Sequence, residues 1–183
     1  MITLSGTPVL ETERLILRAP QASDYAVFAQ FFTTDRARFV GGPIEAPQAW
    51  RAFGHLIGHW VMRGYGFFVF ADRATGKPLG SAGPWCPEGW PEPEIGWTVW
   101  DPQAEGRGLA SEAALATRAW AYGQLGWTTA ISLIAAENDR SQTLARRMGA
   151  VPEREAEVMG KPCVIWRHPS ADTLADGGME AYA

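Results

Sequence analysis

Apolar and polar positions alternate along RLILR at 14–18, a period of two that predicts a strand. From Asp24 to Phe32 the spacing becomes helical, with Ser23 as the expected N-cap. RFVGGPIEAP reads as a loop with two glycines and two prolines. Trp50, Phe53, Ile57 and Val61 then recur at helical spacing and predict a helix from Gln48 to Met62. Gly54 and Gly58 weaken that helix by about 1 kcal/mol each relative to Ala. GFFVFAD at 66–72 and LGSAG at 79–83, joined by the turn TGKP, read as a hairpin. PWCPEGWPEP is a loop, EIGWTVW at 94–100 the next strand, and a helix follows from Leu109 to about Tyr122. WTTAISLIA at 127–135 predicts a buried strand. Asn138 is placed to cap a helix running to Arg147, closed by Gly149. VPEREAEV at 151–158 and PCVIWRH at 162–168 complete the pattern as a strand pair.

Helices interleaved with hairpins predict a single α/β domain over 1–168: a mixed, mostly antiparallel sheet with helices on both faces. The small, polar segment 169–183 is expected to be a frayed tail. The 183 residues, 46% of them apolar, suffice for one core. A formal net charge of −4 argues against nucleic acid as a partner, and no run reaches the length of a membrane span. MITLSGTPVLETERLILR lacks a basic start followed by an apolar stretch, so the cytoplasm is the expected location, as a monomer or homodimer. Cys86 and Cys163 form no CxxC motif. His55 and His59 have helical pitch but no HExxH around them, so no metal is expected.

The chemistry concentrates in QAEGRGLASEA at 103–113. Gly106 and Gly108 can adopt left-handed backbone angles and leave room for an approaching ligand. The first turn of the following helix offers unpaired N–H groups that favour an anion. A Walker A loop needs Lys and Ser/Thr where Leu109 and Ala110 stand, and a dinucleotide fingerprint needs a third glycine. A plain structural turn stays open on the glycine pair alone.

With its neighbours, this loop resembles that of the GNAT family of N-acetyltransferases, in the branch that includes the ribosomal-protein N-terminal acetyltransferases. Gln103, Gly106 and Gly108 match the family's Gln/Arg-x-x-Gly-x-Gly/Ala pattern, followed by LASEAA. ETERLILRAPQASD near the start, EIGW before the loop and ENDRSQTLARRMGAV after the next strand also match, over roughly residues 10–168. The resemblance implies an acetyl-CoA site. Its pyrophosphate would lie on the backbone of Glu105, Gly106, Arg107, Gly108, Leu109 and Ala110, with Ser111 at the helix start. Its pantetheine arm would lie along Trp97, Thr98 and Val99, beside a strand that a bulge splays from the strand at 127–135. Asn138 and Ser141 match positions at the pantetheine arm or thiol end; by local sequence alone they are helix-capping residues.

The implied activity is acetyl transfer to a primary amine by direct attack. Glu94 is the expected base, with Glu92 and Glu88 as alternatives; its bland reading is a surface glutamate at a strand start. A backbone N–H near Val99 is the natural oxyanion donor. Relatives often carry a tyrosine acid on the helix after the Asn; DRSQTLARRM has none, which leaves Ser141 as the candidate at the leaving sulfur. Segments 34–66 and 84–93 should wall the acceptor cleft with Phe39, Trp50, His55, His59, Tyr65, Trp85 and Trp90. The acceptor stays open among peptide N-termini, amino acids, polyamines and aminoglycosides. The competing classes are a non-catalytic acetyl-CoA sensor or scaffold, and a structural domain without a cofactor.

Overall fold

The structure is a computed structural model and describes residues 4–175. Eight strands form one sheet: β1 (Leu10–Glu11), β2 (Leu15–Arg18), β3 (Phe68–Asp72), β4 (Pro78–Trp85), β5 (Glu94–Val99), β6 (Ile131–Ile134), β7 (Val151–Val158) and β8 (Lys161–Arg167). Their order is β1-β2-β3-β4-β5-β6-β8-β7. Every neighbouring pair is antiparallel except β5 and β6, which are parallel. The helices are α1 (Tyr25–Phe32), α2 (Ala46–Arg63), α3 (Leu109–Gln124), α4 (Asp139–Arg147) and the short α5 (Ala171–Ala175). The mixed, mostly antiparallel sheet flanked by helices is the one expected.

Strand alternation assigns the two faces. In β3, Phe68 and Phe70 pack with Leu15, Leu17, Leu109 and Ala113 beneath α3. Val69 between them turns to the opposite face, where Phe28, Phe31, Phe53 and Trp85 fill the space under α1 and α2. Ile95 of β5 points to the α3 side, with Ala114, Ala121 and Met148. Glu94, Gly96 and Thr98 therefore project towards the α1–α2 side.

Several local expectations are corrected. Ser23 does not cap α1; it lies in a 3₁₀ turn over Ala22–Asp24. The buried Asp24 accepts from the Gln21 N–H at 2.8 Å and takes a two-pronged grip from Arg18, both contacts at 2.8 Å. Helix α2 buries a different stripe from the one read in the sequence: Ala49, Phe53, Leu56 and Trp60 face the core. Trp50 and Val61 are 65% and 71% exposed. Strand β6 is shorter than expected, because residues 127–130 approach it as irregular chain. The described part of the tail is tied down: the Tyr122 hydroxyl donates to Pro169 C=O at 2.9 Å and Ala171 N–H donates to Thr128 C=O at 3.0 Å. Residues 176–183 lie outside the described chain.

Candidate active site

The sheet opens in its middle. β5 and β6 share one bridge, Glu94 with Ile131, where Ile131 N–H donates to Pro93 C=O at 3.0 Å. Beyond it the strands separate. The bulge expected in β5 is absent: its register with β4 runs unbroken from Glu94↔Trp85 to Val99↔Gly80. The irregularity in this half of the sheet falls between β3 and β4, at Phe70 and Ala71.

Alternate residues of an antiparallel strand turn their N–H and C=O to opposite neighbours. Ile95 C=O faces β6, since it accepts from the Ser132 hydroxyl at 2.6 Å. Trp97 and Val99 share that orientation and present their backbone to the gap. Thr98 C=O points the other way, against Gly80 of β4. Of the three residues expected along a pantetheine arm, Trp97 and Val99 thus offer main chain and Thr98 only its side chain.

Glu94 sits at the closed end of this gap and is 8% exposed. Its Oε2 accepts from the Trp90 indole N–H at 2.6 Å and its Oε1 from Leu133 N–H at 3.1 Å. Burial raises its carboxyl from an ordinary 4.5 to about 7, against the opposing pull of those two donors. It is no surface glutamate. Glu92 is differently placed: Arg167 holds it at 2.7 and 2.9 Å and lowers its pKa, with Arg154 at 3.3 Å. The Glu88 side chain is fully exposed and touches Arg63 at 3.4 Å.

Phe67, Trp85 and His59 form a stacked wall beside Glu94, with ring centroids 4.8 and 4.2 Å apart. Gly96 is required under it, because a Cβ there would fall 2.7 Å from the Phe67 ring. His59 is committed to the backbone: Cys86 N–H donates to its Nε2 at 3.1 Å, so Nδ1–H donates to Tyr65 C=O at 2.7 Å. Burial lowers its pKa and keeps it neutral. His55 packs edge-on against Trp85. Trp50 lies outside this wall, edge-on against Tyr25, and Phe39 lies under Arg38.

At the open end, Pro102–Ala104 make a 3₁₀ turn whose Gln103 N–H is capped by Asp101 at 2.9 Å. Gly106 and Gly108 follow with φ of +72° and +75°, which L side chains adopt at a cost. Gly108 is the N-cap of α3 and has no side chain to satisfy the first-turn amides of Leu109, Ala110 and Ser111. Nothing lies within 4 Å of a Cβ built on Gly106, and only an Arg14 nitrogen, at 3.6 Å, near one on Gly108. Arg14 anchors the loop by donating to Arg107 C=O at 2.9 Å, and it draws Glu112 away with a 2.6 Å contact. The result is an uncapped, unobstructed helix start, which suits a pyrophosphate.

Across the gap, α4 begins at Asn138, whose Oδ1 accepts from Ser141 N–H at 3.2 Å, so it is a helix cap. The Ser141 hydroxyl accepts from the Trp97 indole at 3.3 Å and faces the sheet. Arg36 was not legible as a site residue. It donates to Val99 C=O at 3.0 Å, to Trp100 C=O at 2.7 Å and to Glu105. Glu105 also holds Arg140 of α4. Burial pushes the Glu105 carboxyl up, but the two guanidiniums outweigh it and hold it below the usual range. Arg36, in a 3₁₀ turn over Asp35–Val40, carried no sequence signal for this clamp.

A parallel strand pair that parts beside an uncapped helix start leaves a cleft with an anion-favouring end. Residues 14–151 match the family model described as an acetyltransferase (GNAT) domain. The chain belongs to the GNAT family. It is similar to the crystal structure of an acetyltransferase from Agrobacterium tumefaciens, at 31% identity and a TM-score of 0.82, covering 92% of this chain and 98% of that one. A GNAT-family acetyltransferase from Bordetella pertussis shares 26% identity with a TM-score of 0.75, over 88% and 99% of the two chains. The ribosomal-protein-S5-alanine acetyltransferase of Vibrio fischeri, at 19% identity and a TM-score of 0.68 over 90% and 98%, shares the fold. No curated protein matches the sequence. No helix among the described residues is long and apolar enough to cross a membrane.

Proposed function

We propose that the protein transfers the acetyl group of acetyl-CoA to a primary amine, on a peptide N-terminus or a small molecule, by direct attack. The observation that carries this reading is the buried Glu94 carboxyl at the closed end of a cleft whose open end is the uncapped start of α3. The family membership and the fold support it. The main chain from Glu105 to Ala110, with Ser111, would hold the pyrophosphate, and Trp97 and Val99 would hold the pantetheine arm. Asn138 and Ser141 stand at its inner end. Acetyl-CoA supplies an activated thioester.

The chain's own groups supply the rest. An alkyl amine arrives protonated and needs a base. With its carboxyl raised to about 7, Glu94 takes a proton readily near neutrality without being permanently neutralised by a cation. Of the N–H groups near Val99 that face the gap, that of Trp97 lies nearer Glu94 and serves as oxyanion donor. Ser141 is the hydroxyl nearest the sheet on α4 and is assigned to the leaving sulfur. The wall of Phe67, Trp85 and His59 excludes water from the approach. The ribosomal-protein branch is our preferred assignment of acceptor class, on the motif set rather than on overall likeness.

The test is thiol release from acetyl-CoA across a panel of amines that includes free peptide N-termini and polyamines. Release should depend on the amine. Glu94→Gln should lower kcat/KM by about 10²–10⁴ while leaving coenzyme affinity in place. Coenzyme binding without amine-dependent release would favour a sensor. A Glu94→Gln loss under about threefold would pass the base to another group.

A further inference from the structure

The parting of β5 and β6 has an identifiable cause in side chains. A parallel ladder that pairs Glu94 with Ile131 and sends Ile131 N–H to Pro93 C=O would continue with Leu133 N–H donating to Ile95 C=O. That bond is not made, and each of its halves is occupied by a side chain. The Glu94 carboxylate takes the Leu133 N–H at 3.1 Å, and the Ser132 hydroxyl donates to Ile95 C=O at 2.6 Å.

Ser132 is in turn held from behind. Arg118 of α3 donates to Met148 C=O at 2.7 Å and lies 3.1 Å from His168 Nδ1. A guanidinium only donates, so Nδ1 accepts and the neutral ring carries its proton on Nε2. Nε2–H donates to the Ser132 oxygen at 2.9 Å, which leaves the serine's single proton for Ile95 C=O. All three residues are buried, at 1% for His168 and 2% for Arg118 and Ser132. The chain runs in one direction, from the guanidinium to the carbonyl.

We propose that Glu94 and Ser132 together form the wedge that parts the strands, and that His168, oriented by Arg118, is the positioning residue that keeps Ser132 in it. The wedge makes the gap without a bulge in β5. It also ties the width of the gap to the proton acceptor, because the same two strand positions do both. Removing the serine hydroxyl frees Ile95 C=O, and the ladder can close by one step. Leu133 N–H then leaves Glu94, the gap narrows, and Glu94 loses a donor that favours its charged form.

The activity arm of this proposal rests on the acetyl-transfer reading; the spectroscopic arm does not. In Ser132→Ala, through-hydrogen-bond scalar coupling between the Leu133 amide nitrogen and the Ile95 carbonyl carbon should appear. In the native protein the Leu133 nitrogen should couple instead to the Glu94 carboxyl carbon. KM for acetyl-CoA should rise and kcat/KM fall by about 10²-fold, the cost of a reacting group displaced by about an ångström. The acidic limb of the kcat/KM profile should move to higher pH. Cys86, beyond β4, and Cys163, on β8, are the thiols that feel the Glu94 charge, and the substitution touches neither. Ser132→Thr keeps the hydroxyl and should restore coupling and kinetics. His168→Gln, with an N–H for Ser132, should resemble the native protein, whereas His168→Leu should resemble Ser132→Ala. Failure of the Leu133–Ile95 coupling to appear in folded Ser132→Ala overturns the wedge. If it appears while the native protein acetylates no amine, the wedge stands and the acetyl-transfer reading falls.

Discussion

Glu94 and His168 are buried a few residues from the same strand junction, and their proton affinities are displaced in opposite directions. Burial raises Glu94 from 4.5 to about 7, and burial with the nearby Arg118 and Arg167 charges lowers His168 from 6.5 to about 3. Between pH 4.5 and 7 the folded chain keeps a proton on Glu94 that the unfolded chain has lost, so this group withdraws stability as pH rises. Between pH 6.5 and 3 the unfolded chain protonates His168 and the folded chain does not, so this group withdraws stability as pH falls. From pH 4.5 to 6.5 the two slopes cancel. In Glu94→Gln the His168 slope should be exposed, and stability should fall as pH drops below 6.5. The pH-dependent part of the difference from the native protein should grow between pH 4.5 and 7 to about 3 kcal/mol, at about 1.4 kcal/mol per pH unit. Urea denaturation at a series of pH values measures both; parallel curves for the two proteins would show that Glu94 is not displaced. The sequence placed Glu94 on the right strand, but one of the two donors that hold its carboxylate is the Leu133 N–H, on a strand that no local pattern links to it.

At the scale of elements, the start of α3 was the most legible feature, because its chemistry is written in consecutive residues. Gly106 and Gly108 both take the left-handed angles expected of them, and Asn138 caps α4 as its position suggests. Gly106→Ala isolates the backbone requirement, since open space surrounds the added methyl. It should cost about 1–2 kcal/mol of stability from the angle alone. It should also weaken acetyl-CoA binding, read by calorimetry, beyond what that loss of stability explains; unchanged affinity would place the pyrophosphate elsewhere. Helix α2 shows where reading along the chain fails. Trp50, Ile57 and Val61 lie on a helical period with Phe53, and so does the stripe of Ala49, Phe53, Leu56 and Trp60 that faces the core. Tertiary packing chose between two phases that differ by a fraction of a turn. Trp50 keeps its ring occupied against Tyr25, and this offsets part of its exposure.

Across the whole molecule, family motifs pointed to the glycine loop at the start of α3, but the wedge, the Arg36 clamp and the aromatic wall were invisible. Each joins residues that lie far apart in sequence: Ser132 with His168 and Arg118, Arg36 with Glu105, His59 with Trp85. The open junction has a further consequence, for solvent. β5 lies in the interior of an eight-stranded sheet, yet only one of its edges is zipped along its length. Gly96 and Thr98 turn their amides into β4, while Trp97 and Val99 turn theirs into the gap. A central strand should therefore exchange its amide hydrogens as an edge strand does, in strict alternation: slowly at Gly96 and Thr98, quickly at Trp97 and Val99. Acetyl-CoA should slow the two fast amides and leave the slow pair unchanged, since a pantetheine arm hydrogen-bonded there supplies the missing strand. Uniform protection along β5 without the coenzyme would mean that water does not reach the gap. Alternating exchange would mean that this sheet carries, at its centre, the unpaired edge that most folds leave at their margins.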